Sequence, residues 1–462
     1  MNDNSDTDGK ADHLCVLVHG LWGNPSHLDY LISALKERHG QDRLYILAAQ
    51  RNSGMYTYDG IELGGERVAH EIEDTLEQLA GQGYQIKKLS VVGYSLGGLV
   101  ARYAIGLLEA SGYLDKVEPV NFTTFASPHV GVRTPIKGLH SHMWNVLGAR
   151  TISMSGRQLF MIDDFRDTGK PLLSILADPN SIFMRGLARF KNRSVYSNIV
   201  NDKSTVFYTT AISKVDPFPN PEGTHFNYVK GYEPVIIDPD MHVLPREQVQ
   251  ADKESVLTRL YTLFDKVSFA LILSVFIPVG SVLFLLNSVV QNFLSQQRIK
   301  LYEQGKTDLL PGRYRVPLIM QDVRGAVEDV FENLNSSQAN EYLSEQDAEY
   351  HKQVKLQKRM SQRKSIPTED KHNEEVEEEQ RPLLQQTEFD AGQTESEFPI
   401  LALTPAQFEI IDSLNAIGFR KYPVYIHKAR HSHAAIIVRM ARASFSEGKI
   451  VVKHWLDNEF HL

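Results

Sequence analysis

Along the first half of the chain, short apolar runs alternate with longer stretches whose apolar residues recur every three or four positions. Leu14–Val18 (LCVLV) and Leu44–Ala48 (LYILA) read as strands, the first fully buried. Glu66–Leu79 then reads as an amphipathic helix with Val68, Ile72, Leu76 and Leu79 on one face. Lys88–Val92 (KLSVV) is a further buried strand. After Ser95 comes LGGLVARYAIGLLE, where Leu99, Tyr103 and Leu107 fall at helical spacing. Val120–Phe125 (VNFTTF) and Val195–Val200 (VYSNIV) are the next strands, and TVFYTTA (205–211) reads as β-rich. Far downstream, Phe408–Phe419 (FEIIDSLNAIGF) is helical, and Tyr422–His427 (YPVYIH) is a last strand that Pro423 demotes towards an edge. Strands alternating with helices predict an α/β domain: a mostly parallel sheet covered by helices on both faces. Reactive residues in such sheets gather beyond the carboxyl ends of the strands.

One such end carries Val91–Val100, VVGYSLGGLV. A serine between glycines, with a strand before it and a helix after it, has the form of a nucleophile elbow, G-x-S-x-G. Glycines suit this turn because strand and helix approach too closely for a Cβ. The helix behind Ser95 also aims backbone N–H groups at the point where an oxyanion would develop.

A serine hydroxyl needs a base to take its proton and an acid to orient that base. With an elbow of this kind the three follow the chain order Ser, Asp, His. Asp202 ends the strand VYSNIV and is the candidate acid; Asp216, in KVDPF, is the alternative. His433, in the loop after the last strand, is the candidate base, with His431 and His427 as alternatives. The oxyanion donors are expected to be the backbone N–H groups of Leu96, directly after the nucleophile, and Leu21, after His19-Gly20 at the end of the first strand. His19 and His129 are expected to hold loops by hydrogen bonds. No metal-site spacing, phosphate-binding loop or dinucleotide fingerprint appears, so neither a metal nor a cofactor is expected.

Composition changes this picture in two places. The 462 residues are 42% hydrophobic and 23% charged, which is ordinary for a large globular chain, and the single cysteine, Cys15, lies inside the first strand. It can form no internal disulfide, which suits a reducing compartment. The N-terminus is polar and lacks an apolar segment, so a cleaved secretory signal is not expected. The net charge of −8 is local: Ile366–Glu397 holds eleven acidic and two basic residues, a balance of −9 that leaves about +1 for the rest. Nothing here suggests a nucleic-acid surface, and the segment reads as solvated and disordered.

The second change is Val267–Gln297, thirty-one residues without a charge, interrupted by Pro278-Val279-Gly280. A single membrane span through it would separate Ser95 and Asp202 from His433. A bent pair of short helices entering one leaflet or a droplet monolayer keeps them on one side, and a lid or buried helix pair is the alternative. The expected organisation is a disordered N-terminus (1–11), a first core part (12–230), an insertion with the apolar hairpin or lid (231–300), a charged and largely disordered insertion (301–397), and a second core part (398–462) before which the whole insertion falls.

HGLWGN, VVGYSLGGLVARYAIG, TFASPHVG, IVNDKS and HSHAAIIVR, in this order, resemble a fungal family of serine esterases in the α/β-hydrolase superfamily, and within it a lipid-droplet phospholipase. The likeness covers roughly residues 12–230 and 398–450. It implies an α/β-hydrolase fold and acyl-ester hydrolysis of glycerolipids, with Ser95 matching the nucleophile, Asp202 the acid and His433 the base. The expected partner is a lipid substrate at a droplet or membrane surface, on the cytosolic face of the lipid droplet or the endoplasmic reticulum. A neutral-lipid lipase, a thioesterase and a non-catalytic membrane scaffold are the competing readings.

Overall fold

A computed structural model of the chain describes residues 10–40, 42–132, 153–219, 221, 224–242, 286–304, 398 and 400–462. Six strands form one sheet: β1 (His13–Val18), β2 (Leu44–Ala48), β3 (Lys88–Tyr94), β4 (Glu118–Phe125), β5 (Asn192–Asn198) and β6 (Arg420–Val424). Their order across the sheet is β2-β1-β3-β4-β5-β6, and every neighbouring pair is parallel. This is the sheet of an α/β-hydrolase, and it is held in register by long crossovers rather than hairpins.

Alternation along each strand sorts side chains between two apolar layers. Leu14, Val16 and Val18 of β1, with Leu89 and Val91 of β3, face one layer; Cys15 and Leu17, with Val92 and Tyr94, face the other. Helices α1 (Asp29–His39) and Ser446–Asn458 cover the second layer through Leu31, Leu35, Val451 and Trp455. Helices α2 (Ile61–Gly81) and α3 (Leu96–Ala110) cover the first through Val68, Ile72, Leu99 and Tyr103. Both faces of β1 are therefore dry, which is why all six of its residues are buried and the five from Leu14 to Val18 read as a continuous apolar run. Cys15 is a free buried thiol, and burial pushes its pKa far above the ordinary range.

Several boundaries differ from those that the sequence pattern suggests. Helix α2 begins five residues before Glu66, because its first turns bury Glu66 and Arg67 beside apolar residues and so blur the apolar stripe. TVFYTTA is not a strand: Phe207–Thr210 is a short helix. Its Thr209 accepts from the His129 amide through its carbonyl (3.1 Å) and from the Val130 amide through Oγ1 (3.0 Å), so tertiary bonds override the β-propensity of the segment. Strand β6 ends at Val424, before His427. As Pro423 implies, β6 lies at one end of the strand order, where a proline costs no ladder bond. Val235–Ile237, in the segment expected to be insertion, are fully buried against this edge. Ile236 bridges Val424, the Ile237 amide donates to Pro423 O at 3.0 Å, and the Tyr425 amide to Val235 O at 2.8 Å. The core thus continues past residue 230.

Of the uncharged stretch, 267–285 lie outside the described residues, as does all of the acidic segment 366–397. From 286 to 303 the chain is a helix lying on the body of the protein. Among the described residues no helix is long and apolar enough to cross a membrane.

Two core histidines carry a pH dependence. His13 Nε2 lies 2.7 Å from Ser90 Oγ, and His454 Nδ1 lies 2.8 Å from Tyr196 OH. Burial, reinforced at His13 by the Lys88 charge, lowers His13 from 6.5 to about 4, and burial lowers His454 to about 4 as well. As pH falls below 6.5 the unfolded chain takes protons at both positions, whereas the folded chain refuses them until about 4. Stability should therefore fall across that window, by up to about 3 kcal/mol per histidine. Thermal melts from pH 7 to 4 should show a declining Tm, and the His13→Gln/His454→Gln double variant should show a flatter slope.

Candidate active site

The turn from β3 into α3 puts Ser95 at φ 54° and ψ −130°, a left-handed conformation that a non-glycine residue adopts only under constraint. The Ser95 amide donates to Phe125 O at 3.0 Å and the Gly98 amide donates to Ser95 O at 3.1 Å, bracing the turn on both sides. A Cβ on Gly93 would lie 2.3 Å from Gly98 Cα, and one on Gly97 would lie 2.2 Å from Val18 O. These glycines are there because strand, turn and helix touch backbone to backbone.

β5 and β6 are parallel neighbours, so the loops after them leave the sheet on the same edge. The first carries Asp202 and the second His433, on the short helix Ser432–Ala435. Ser432 ties the loops together: its Oγ donates to Val200 O at 2.6 Å and its amide to Asn201 O at 3.3 Å. His433 Nε2 then lies 2.9 Å from Ser95 Oγ, and His433 Nδ1 lies 3.0 Å from Asp202 Oδ2. Ser95 is 9% exposed, and the side chains of His433 and Asp202 are 6% and 2% exposed.

The Asp202 carboxylate is saturated with donors. Oδ1 accepts from the amides of Ser204 (3.1 Å) and Thr205 (2.8 Å), and Oδ2 accepts from Asn198 Nδ2 (2.9 Å) and Thr205 Oγ1 (3.2 Å) besides His433. Burial alone would raise its pKa. The adjacent His433 and the hydrogen bonds from Asn198 and Thr205 overcome that and hold it below the ordinary carboxylate value. An ionised Asp202 accepts only, so the proton between it and His433 sits on Nδ1 and Nε2 is left to accept from Ser95. Tyr94 fixes the ring from below: its hydroxyl donates to His433 O at 3.0 Å, and the two rings are 5.2 Å apart.

The alternatives lie elsewhere. Asp216 Oδ1 accepts from the Phe218 amide at 2.9 Å, closing a local turn. His427 pairs with Glu447 at 3.0 Å, and His431 heads the short helix, where its carbonyl accepts from the Ala435 amide. His19 reaches Gly20 O and Ser53 Oγ, tying its loop to a second one, and His129 Nε2 lies 2.8 Å from Thr124 Oγ1, tying its loop to β4.

A pocket opens over Ser95 and His433, lined largely by Leu21, Trp22, Leu96, Pro128, Val132 and Leu159. Both residues expected to supply oxyanion donors therefore border it. The Leu96 amide is in the first turn of α3, where it has no intrahelical acceptor. The Trp22 amide is bonded to Thr57 Oγ1 at 3.0 Å, and Gly20 packs so closely that a Cβ there would lie 2.7 Å from Ser95 Cβ. Asn198, Thr205, Tyr94 and Trp22 escaped the sequence reading. Asn198 and Thr205 flank Asp202 four residues before and three after, an acidic residue framed by short polar side chains, and that was the only available signal.

A strained serine at a strand–helix elbow, joined to a histidine and an ionised aspartate on the carboxyl edge of a parallel sheet, is the arrangement of a Ser-His-Asp triad on an α/β-hydrolase fold. Residues 8–215 match the model of the family described as "Putative serine esterase (DUF676)"; His433 lies beyond the matched part. The chain is 32% identical over 216 residues to "Putative lipase ROG1" of Saccharomyces cerevisiae, covering 46% of this chain and 30% of that protein. It is 28% identical over 210 residues to "Putative lipase C4A8.10" of Schizosaccharomyces pombe, covering 44% and 26%. The chain thus spans about a third or less of the length of these relatives. Among solved structures, a Trichoderma reesei cutinase in complex with a C11Y4 phosphonate inhibitor is similar at 21% identity, with 28% of this chain and 57% of that one covered and a TM-score of 0.20, and it adds nothing to the fold read from the strand order.

Ser95→Ala and His433→Ala should each lower ester turnover by roughly 10⁴–10⁶-fold, and the double variant should be no worse, because the two act as a unit. Asp202→Asn should cost about 10³–10⁴-fold through a misoriented imidazole. Asp216→Asn and His431→Ala should stay within a few-fold of the parent, and steady-state kinetics on a short soluble ester discriminates these outcomes. Gly97→Ala should fail to give folded protein, since the clash is with the β1 backbone; circular dichroism tests this.

Proposed function

We propose that the protein is a serine-dependent lipid acyl-ester hydrolase, acting on glycerophospholipids at a droplet or membrane surface on the cytosolic side. The observation that carries the catalytic half of this reading is the unbroken hydrogen-bonded chain Asp202–His433–Ser95, at 3.0 and 2.9 Å, opening on an apolar pocket. Each step follows from the atoms in that chain. His433 Nε2 takes the Ser95 proton as Oγ attacks the ester carbonyl carbon, and the carbonyl electrons move onto oxygen. The Leu21 and Leu96 amides, whose residues line the pocket, are the donors assigned to the resulting oxyanion. Collapse re-forms the carbonyl and breaks the ester bond, with His433 returning the proton to the leaving alcohol. Water, deprotonated by the same nitrogen, then releases the fatty acid from the acyl-enzyme. Asp202 stays ionised throughout and stabilises the imidazolium.

The lipid half rests on the apolar pocket lining, on the word lipase in the names of the relatives, and on the resemblance of the motifs to a phospholipase. A fluorophosphonate probe should label Ser95 alone, and Ser95→Ala should abolish the labelling. Purified protein given mixed vesicles should release fatty acid from glycerophospholipid. Cleavage confined to triacylglycerol emulsions would move the reading to a neutral-lipid lipase, and cleavage confined to acyl thioesters would move it to a thioesterase. Absence of labelling, with no turnover of any ester, would leave a binding scaffold.

A further inference from the structure

The helix at 286–303 is amphipathic the wrong way round for a helix in water. Its buried positions are polar: Ser288, Gln291, Ser295 and Arg298 are between 0 and 7% exposed. Its opposite face is apolar: Leu286, Val289, Val290 and Phe293, spaced i, i+3, i+4 and i+7, are 54–68% exposed. No charged residue occurs between Leu286 and Gln297, and the sequence leading into it from Val267 is apolar and uncharged as well.

The polar face is fastened. Ser295 Oγ donates to Asp59 Oδ1 at 2.8 Å, Arg298 Nε to Asp59 Oδ2 at 2.9 Å, and Arg298 Nη2 to Asp59 Oδ1 at 2.6 Å. Arg298 Nη2 also reaches Met55 O at 3.1 Å, and the Tyr302 hydroxyl donates to Glu66. Asp59 is fully buried, with Arg67 against its other side at 2.6 Å. Rolling the helix to hide its apolar face would strip Arg298 from this carboxylate and leave charges buried without their partner. The outward direction of the apolar face is thus built into the body of the protein.

The first described residues of the helix lie near the catalytic pocket. Asn287 hydrogen-bonds Tyr58, whose ring lies 6.3 Å from that of Trp22, a pocket-lining residue. We infer that this face is an interfacial docking surface for a lipid monolayer or leaflet, on which the helix lies flat with Leu286, Val289, Val290 and Phe293 in the acyl region. The inference rests on the reading of the protein as a lipid-ester hydrolase. It gives that reading a geometry: the face that enters the lipid is the one next to the mouth from which Ser95 is reached. Between Leu286 and Gln297 the face carries no charge, and Lys300, exposed on the same side two turns beyond Phe293, is a lone cation at its end, so attachment is chiefly apolar rather than electrostatic and depends little on anionic lipid or salt.

The test uses the full chain. Ser95→Ala protein should co-sediment with phosphatidylcholine vesicles equally in low and high salt, and adding Val289→Glu and Phe293→Glu should weaken that binding at least tenfold. With Ser95 intact, Val289→Glu/Phe293→Glu should hydrolyse a soluble short-chain ester at the parent rate and phospholipid vesicles at a tenth of it or less. Val290→Lys should act in the same direction. Vesicle binding unchanged by the substitutions, absent from the parent, or dependent on anionic lipid would overturn the inference. A drop in Tm of the charged variant would show the face covered by this chain's own residues, and conversion of a dimer to a monomer would assign it to a second copy; either result also overturns it. Loss of soluble-ester turnover with the fold intact would place the face in the catalytic site instead. Absence of ester turnover in the parent would count against the enzymatic reading and not against the docking face, which the vesicle measurement reads separately.

Discussion

At the β3–α3 turn a buried strand and a helix meet with no room for side chains between them, and a serine must nevertheless occupy the junction. The left-handed backbone of Ser95 costs about 1–3 kcal/mol. It persists because the Phe125 carbonyl and the Gly98 amide hold both sides of the residue, and because Gly93 and Gly97 allow backbone contact that any Cβ would prevent. Everything chemical in the molecule is placed relative to this turn. It starts α3 at Leu96, brings the β1 loop against Ser95 through Gly20, and aims Oγ at the edge of the sheet where the later loops arrive.

Those later loops come from opposite ends of the chain, with 231 residues between Asp202 and His433 and 338 between Ser95 and His433. Parallel pairing makes this separation harmless, since neighbouring parallel strands deliver their following loops to the same edge. The Ser432 bonds to Val200 and Asn201 set the distance between the two loops, and the Tyr94 bond to His433 O sets the imidazole over the elbow. His433 itself, with Asn198 and Thr205, keeps a buried carboxylate ionised, so the tautomer that leaves Nε2 facing Ser95 is maintained.

A second buried charge cluster does for the molecular surface what the triad does for the site. Asp59 between Arg67 and Arg298 joins α2 and the helix at 286–303, and breaking such a buried pair typically costs about 3–5 kcal/mol. Ordinary amphipathic packing, which would bury Val289 and Phe293, does not compete with that. The orientation of this helix is therefore a consequence of charge pairing, and its apolar exposure a consequence of the orientation.

Local physics was enough for much of this protein. The central strands are legible because residues buried on both sides must be apolar throughout, and the elbow because its steric conditions admit a narrow set of residues within five positions. Pro423 at the sheet edge follows from its missing N–H. The choice of His433 over His431 and His427 was narrowed by chain order and by the resemblance, but only the meeting of the β5 and β6 loops brings one imidazole between Ser95 and Asp202. TVFYTTA has strand propensity and becomes a helix because Thr209 bonds to the His129–Val130 backbone. Val235–Ile237 join the core because β6 leaves an open edge that needs backbone partners. The helix at 286–303 reads in isolation as part of an apolar run, and its inverted orientation depends on a carboxylate 239 residues earlier in the chain. A pattern along the sequence records which residues avoid water; which face of an element then turns inward is decided by partners that only the folded chain brings into contact.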